Sequence, residues 1–496
     1  MAVRGLRLLG AQRVSYAIPN RFTHGYGLSP AFVASLQPTP QLIVTVDNGV
    51  ASIAGVAAAK ARGIRVIVTD HHLPGQQLPA CDAMVNPNLA GDPFPSKMLA
   101  GVGVMFYLLL ALRARMYPSD LPDRESQEAA IHGRTIQKSA RPDLSSLLDL
   151  VALGTVADLV PLDFNNRVLV EAGLQRMRGG RACAGITALV EAGKRSVATL
   201  CSTDLAFTVG PRLNAAGRLE DMRLGVECLL TDDVAQARRY AEQLDAINRE
   251  RRDLQASMVA EAEVMASGLA HTDAVGVALY EPSWHAGVVG LVASKLKERL
   301  HRPVIAFAPA GEDDSDHLRG SARSIPGFHI RDALAAIDAR QPGLIERFGG
   351  HAMAAGLSLK TGDYARFAAA FDAIARELID AERLQAVLYT DGELPPGTAT
   401  LALARQLQRA GPWGQAFPEP LFDNLFECVG WKVMGERHLR LQLRDPRDGA
   451  LHDAVMFNAY HGRPPPPQLR VAYELAINDW QGRETPRLLL RHIEPA

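Results

Sequence analysis

The sequence predicts an α/β protein: a parallel-sheet domain first, then a long connecting helix, a second α/β lobe and a small β-rich domain at the C-terminal end. Three observations carry that prediction. Gln41 to Val46 and Ile64 to Thr69 are buried apolar strands flanking an alanine-rich helix, the spacing of a βαβ unit. From Asp232 to about Ser267 a helical pattern places Tyr240, Leu244, Ile247, Leu254, Met258 and Met265 three, four or seven residues apart. Beyond residue 385, five short alternating segments follow one another within about a hundred residues, which suits a small barrel or sandwich.

Element by element, Val3, Leu6 and Leu9 alternate with Arg4 and Arg7 as an amphipathic helix that lacks an N-capping side chain. Arg13 to Ile18 reads as a short strand. The strand 41–46 runs into Asp47-Asn48-Gly49, a helix fills Ala51 to Ala61, and the strand 64–69 runs into Asp70-His71-His72. Parallel strands joined this way place both carboxyl ends on one rim of the sheet, where α/β ligands bind. Residues 117–145 are polar with several prolines and read as a surface insertion. Ser145 to Val156 is an apolar helix leading into Asp158. In the second lobe, Gly276 to Tyr280 and Val304 to Ala308 read as strands. The last domain has strands at Phe426–Val433, His438–Leu443, Asp453–Phe457, Val471–Ile477 and Arg487–Arg491.

Composition narrows the function classes. The chain has 496 residues, 47% hydrophobic and 22% charged, with 53 basic against 54 acidic residues and a net charge of −1. A histone-like or polybasic membrane binder is excluded, whereas a local basic groove is not. Five widely spaced cysteines without a CxxC pair argue against a disulfide framework or zinc finger and fit a reducing compartment. The longest apolar run, Gly101 to Leu112, is too short to cross a bilayer. No signal peptide is evident, so a cytoplasmic protein without a membrane partner is expected.

The chemistry concentrates at the strand ends. Asp47 and Asp70-His71-His72 offer carboxylates and imidazoles on one rim, a donor mix that suits Mn²⁺ or Mg²⁺. Two bridged cations would lower the pKa of a shared water and neutralise phosphate oxygens, the requirements of phosphoester hydrolysis. Asp158 can reach the same rim. Taken singly, each residue is better explained as a helix cap or an ordinary surface histidine; the spacing of the set is what points to metal.

The motifs VTVDNG (44–49), VTDHH (68–72) and GTVAD (154–158) resemble metal motifs of the DHH phosphoesterase superfamily. GPRLNAAGR (210–218), WHAGVVG (284–290), RGSARS (319–324) and FGGHAMAAG (348–356) resemble its RecJ branch, the 5′→3′ single-stranded-DNA exonucleases. The resemblance implies a DHH catalytic domain over 1–230, a connector helix over 231–268, a DHHA1 substrate-binding domain over 269–380 and an OB-like nucleic-acid-binding barrel over 385–496. It implies that Asp47 bridges two cations, that His71 and Asp158 ligate one of them, that His72 touches the scissile phosphate and that Asp70 steadies the imidazoles. Arg21 and Arg218 would reach backbone phosphates, Ser321 and Arg323 would grip the 5′-phosphate, and Gly349, Gly350 and His351 would form the glycine-rich substrate motif. Trp431, Tyr460 and Trp480 are candidate base-stacking residues of the barrel. The implied cofactor is Mn²⁺ or Mg²⁺. The implied partners are single-stranded DNA with a 5′ end, a single-strand-binding protein and a recombination helicase, with the chain acting as a monomer.

The family's first metal motif, an aspartate-rich strand end of the DxDxDG kind, has no counterpart in the chain. The expectation is therefore an N-terminally truncated catalytic domain that lacks its first strand and has an incomplete second metal site and impaired hydrolysis. The alternatives are a catalytically inactive single-strand-binding remnant and another DHH phosphodiesterase acting on nano-RNA or cyclic dinucleotides.

Overall fold

The computed structural model describes residues 1–19, 27–117, 141–269, 274–311, 314–435, 437–460 and 462–496. By contact density the chain divides into two units. One comprises Met1–Leu213, Met222–Glu242 and Tyr389–Ala496, the other Asn214–Asp221 and Gln243–Leu388.

The first unit opens with helix α1 (Ala2–Leu8). Its parallel sheet is β1 (Leu42–Val46), β2 (Arg65–Thr69) and β3 (Ala83–Val85), in that order, with helix α2 (Ile53–Ala61) crossing from β1 to β2. The register pairs Val46 with Thr69 and Thr69 with Val85, so the three strands end level with one another. β2 lies between the other two and its Val66 and Val68 are wholly buried, which explains its unbroken apolar run. Helices α3 (Gly101–Met116), α4 (Leu148–Ala157) and α5 (Phe164–Arg178) complete this part. Leu109, Leu147 and Val151 join one core cluster with Leu9, so the apolar run at 101–112 is an interior helix. No helix among the described residues is long and apolar enough to cross a membrane.

Residues 13–18 do not form the expected strand. Val14, Tyr16 and Ile18 keep the alternating exposure that suggested one, but no strand pairs with them, and Tyr16 instead hydrogen-bonds Glu227. Alternation reports sidedness, and a ladder also needs a partner.

The first unit also contains the C-terminal barrel. Strands β9 (Phe422–Met434), β10 (His438–Arg444), β11 (Leu451–Met456), β12 (Gln468–Trp480) and β13 (Arg483–Pro495) close in the order β10-β11-β13-β12-β9. Leu439, Leu441 and Leu443 alternate into its core beside Leu469, Val471 and Leu488. The segment entering the barrel is held to the helical part of the same unit: Ser202 donates to the Trp413 carbonyl at 2.7 Å, Leu162 N–H to the Gln415 carbonyl at 2.8 Å, and the Arg167 guanidinium lies 3.7 Å over the Phe417 ring.

Helix α6 (Gly210–Leu219) precedes the long helix α7 (Val234–Leu269). The second unit is a five-stranded mixed sheet, β4 (Val277–Tyr280), β5 (Val304–Gly311), β6 (Asp314–Arg323), β7 (Arg347–Gly350) and β8 (Ala354–Lys360), in the order β4-β5-β6-β8-β7. Helix α8 (Val289–Leu300) packs against one face; α9 (Ile330–Arg340) and α10 (Tyr364–Leu378) join Phe307, Leu318 and Leu357 in a separate core cluster.

Candidate active site

β1 ends in a tight turn that aims a carboxylate. Thr45 Oγ1 donates to the Asn48 carbonyl at 2.6 Å, and Thr69 Oγ1 donates to the Thr45 carbonyl at 2.6 Å. Asp47 sits in the left-handed region with φ 63°, a conformation that costs an L-residue about 1–2 kcal/mol. At Gly49, φ is 119° and a β-carbon would fall 2.6 Å from Thr45 Oγ1, so only glycine fits. Asp70, which is 1% exposed, directly follows β2. Its Oδ2 accepts from Val50 N–H at 2.8 Å; its Oδ1 accepts from His71 N–H at 2.8 Å and lies 2.7 Å from His72 Nδ1. Asp70 thus ties both strand-end loops together and orients the second imidazole.

Three donors from three elements meet above this rim. His71 Nε2 lies 2.9 Å from Asp47 Oδ1 and 3.3 Å from Asp158 Oδ2, and Asp158 is carried at the C-terminal end of α4. Asp47, His71 and His72 each offer a ligand atom within 4.8 Å of the others. Asp47 Oδ1 and His71 Nε2 are buried atoms that face each other at 2.9 Å, and among the described residues neither has a hydrogen-bond partner beyond the carboxylates gathered here. Buried polar atoms left in this state ordinarily have an ion or other partner. The donor chemistry, two carboxylates and a neutral-capable imidazole, fits a divalent cation such as Mn²⁺ or Mg²⁺.

The electrostatics of the group agree. Burial pulls the His71 imidazole down, but the carboxylates of Asp47 and Asp158 outweigh it and hold it above its ordinary value. Burial, reinforced by the Asp47 charge, raises the Asp158 carboxyl. The hydrogen bond to Asp70 raises His72. Burial opposes ionisation of Asp70, yet its bonds to His72 and Val50 leave the carboxyl below the usual range. A rim crowded with negative charge in this way favours a cation.

A second group of candidates lies in the other unit. Arg323 and Ser321 project from β6 toward α8. Arg323 Nη1 donates to Ser321 Oγ at 3.0 Å and Nε donates to Ser294 Oγ at 3.1 Å, and no carboxylate pairs with this guanidinium among the described residues. Burial alone lowers its pKa, the mark of a cation desolvated without an anion. A β-carbon at Gly290 would fall 2.9 Å from both Arg323 Nη2 and Ser321 Oγ, so the start of α8 approaches closely. Arg218 reaches the same loop, donating to the Gly287 carbonyl at 3.3 Å. Across the sheet, Ser321 pairs with Gly356 and Gly356 with Gly349, a row of small residues that leaves backbone accessible. Gly350, with φ 142°, turns the chain into His351, which is exposed.

Sequence reasoning passed over Ser294 and His285 here; His285 Nδ1 accepts from Gly287 N–H at 3.1 Å. The motif WHAGVVG signalled the loop without distinguishing its imidazole. Arg21 lies outside the described residues. On the barrel, Trp431 is 43% exposed and its ring centroid is 6.1 Å from that of Tyr460. Trp431, Lys432, Arg440 and His452 line a groove of about 550 Å³. Of Trp480 the structure describes the backbone alone.

A parallel sheet with carboxylates and paired histidines at its strand ends, followed by a lobe whose half-buried arginine has no carboxylate partner among the described residues, defines a phosphoesterase of the DHH class. The DHH family N-terminal domain matches residues 1–155, the DHHA1 domain residues 272–377 and the RecJ OB domain residues 390–492. The chain is 50% identical over 502 residues to the single-stranded-DNA-specific exonuclease RecJ of Dickeya dadantii and 47% identical to that of Escherichia coli, covering 100% of this chain and 84% of each relative. The crystal structure of RecJ from Thermus thermophilus in complex with Mn²⁺ superimposes with a TM-score of 0.76 at 29% identity, covering 100% of this chain and 66% of that one. The same protein has been solved with Mg²⁺, with a TM-score of 0.70. The chain belongs to the RecJ family of single-stranded-DNA-specific exonucleases.

Proposed function

We propose that the chain is a divalent-metal-dependent exonuclease that removes nucleotides from single-stranded DNA in the 5′→3′ direction, serving recombination and repair. The observation that carries this reading is the convergence of Asp47 Oδ1, His71 Nε2 and Asp158 Oδ2. In the proposal these residues hold Mn²⁺ or Mg²⁺, which supplies an acidified water and neutralises charge on phosphate oxygens. His72, fixed by Asp70, donates to the scissile phosphate. The Arg323 guanidinium and Ser321 hydroxyl hold the terminal 5′-phosphate, which sets polarity, because a charge-assisted bond to a desolvated guanidinium strongly favours an anion. Arg218 and Arg21 steady the backbone phosphates, the Gly349-Gly350-His351 turn admits the strand closely, and Trp431 with Tyr460 stacks bases farther along it. We assign the catalytic, connector, substrate-binding and barrel parts to 1–230, 231–268, 269–380 and 385–496. The finer expectations of a cytoplasmic monomer that cooperates with a single-strand-binding protein and a helicase belong to the same reading.

Among the described residues the ligand atoms that meet here come from Asp47, His71, His72 and Asp158, a set that suits one cation better than two. That observation favours a second reading, single-strand binding with little hydrolysis. The test incubates the purified chain and its Asp47→Ala variant with Mn²⁺ and a 5′-phosphorylated single strand, the matching duplex or a dinucleotide. Release of mononucleotides from the single strand by the parent chain alone is expected. Tight single-strand binding without any release supports the second reading, and cleavage confined to the dinucleotide overturns both.

A further inference from the structure

His71 and Asp158 come from elements far apart in sequence, yet their ligand atoms sit 3.3 Å apart. Between them runs the segment after β3, and its polar side chains bond backbone carbonyls on both sides. Asn86, 1% exposed, donates from Nδ2 to the His72 carbonyl at 2.8 Å and accepts the Asn88 N–H on Oδ1 at 2.8 Å. Asn88 Nδ2 donates to the His71 carbonyl at 2.6 Å and to the Lys97 carbonyl at 3.2 Å. Lys97 Nζ in turn donates to the Pro87 carbonyl at 2.6 Å and the Asp92 carbonyl at 2.7 Å, which closes the loop upon itself.

The far side is built the same way. Asn166 is fully buried, and its Nδ2 donates to the Met98 carbonyl at 2.7 Å and to the Pro161 carbonyl at 2.9 Å. Pro161 stands three residues after Asp158. Ser96 Oγ donates to Asp163 Oδ2 at 2.6 Å, while Asp163 Oδ1 caps α5 by accepting Asn166 N–H at 2.8 Å. The short stretch 96–98 is therefore gripped by one amide from the His71 side and by another from the Asp158 side.

We infer that Asn88 and Asn166 are positioning residues, two ends of a hydrogen-bonded strut through residues 96–98 that sets the separation of His71 from Asp158 and so the metal affinity of the site. The inference rests on the metal-centre reading of Asp47, His71 and Asp158. Neither asparagine touches those ligand atoms; each acts through a backbone carbonyl. Partners that orient metal ligands typically matter ~10–100-fold in affinity.

The test measures Mn²⁺ affinity of the full chain, from the electron paramagnetic resonance signal of free Mn²⁺, in the parent, in Asn88→Ala, Asn88→Asp, Asn166→Ala and Asp47→Ala, and in the double variant that combines Asn88→Ala with Asn166→Ala. Melting of each metal-free chain is recorded in parallel. Asn88→Ala and Asn166→Ala are each expected to weaken Mn²⁺ by ~10-fold or more, and the double variant to lose no more than the worse single, because both break one strut. Asn88→Asp, whose carboxylate cannot donate to either carbonyl, is expected to lose at least as much as Asn88→Ala. Asn88 is only half buried, so its variants keep the test open if Asn166→Ala fails to fold. A lowered melting temperature with Mn²⁺ affinity within two-fold of the parent overturns the strut while Asp47→Ala, losing the metal, leaves the centre intact. Equal Mn²⁺ uptake by the parent and Asp47→Ala overturns the metal reading itself.

Discussion

Gly101→Ala tests how tightly Asp47 is held. Gly101 begins α3, and a β-carbon there would fall 2.5 Å from Asp47 Cβ, 2.6 Å from its Oδ1 and 2.8 Å from its Cα. Those separations are about 1 Å short of ordinary carbon contact. The obstacle includes backbone already in a left-handed conformation, so relief requires moving the turn or the helix and not merely a rotamer. Overpacking of this kind costs about 1–3 kcal/mol, partly offset by up to about 1 kcal/mol from replacing glycine in a helix. A displacement of about 1 Å in a reacting group is worth ~100-fold in rate. Gly103→Ala is the matched control. Its β-carbon would also fall 2.5 Å from its nearest atom, but that atom is Leu99 Cδ1, a side chain of the core. Denaturant unfolding and Mn²⁺ titration of the two variants are expected to separate: both lose stability, and Gly101→Ala alone loses ~10-fold or more in Mn²⁺ affinity. Equal Mn²⁺ affinity in Gly101→Ala and Gly103→Ala would refute the claim that Asp47 is positioned by contact with α3.

Three further outcomes are expected. Arg323→Ala should reduce the preference for a 5′-phosphorylated over an unphosphorylated single strand by ~10-fold or more, the scale of a charge-assisted hydrogen bond; competition binding measures it, and an unchanged ratio removes the assigned grip. Leu159 is 67% exposed with φ 59°, so Leu159→Gly should raise stability by up to about 1 kcal/mol without loss of packing, and denaturant unfolding would show a fall if the side chain contributes more than the strain costs. Burial pushes the Cys183 and Cys201 thiols up to about 11 and Cys228 up to about 12, so native-state iodoacetamide at pH 8 should leave all three unmodified, with on the order of one thiolate in a thousand or fewer; rapid labelling by mass spectrometry would contradict that burial.

Much of the fold was legible because its signals are local. The sequence 41–46 and 64–69 is apolar on both faces, and the βαβ unit followed from it. The barrel was legible from residues such as Leu439, Leu441 and Leu443, whose alternation survives closure. In the second lobe β6 and β8 gave no strand signal, because RGSAR and AAGLS are built from small residues whose value is close backbone approach. The segment 13–18 misled in the opposite sense, with alternation but no neighbouring strand. At the site, Asp47, His71, His72 and Asp158 were singled out because the proposed metal chemistry restricts residue types; the structure places the first three within reach of one another and Asp158 beside His71. Asn88 and Asn166 were not, because an amide that bonds a carbonyl contributed by a distant segment leaves no mark of spacing or periodicity. The constraint on Gly101 was equally hidden, since only the packed structure shows what a β-carbon would strike.

The account stands most directly on where a cation binds. Crystals of the chain soaked with Mn²⁺ and measured at the manganese absorption edge are expected to show an anomalous peak within bonding distance of Asp47, His71 Nε2 and Asp158. A peak elsewhere in the molecule, or His71 turned to a plain hydrogen bond with Asp47 and no manganese beside it, contradicts the account.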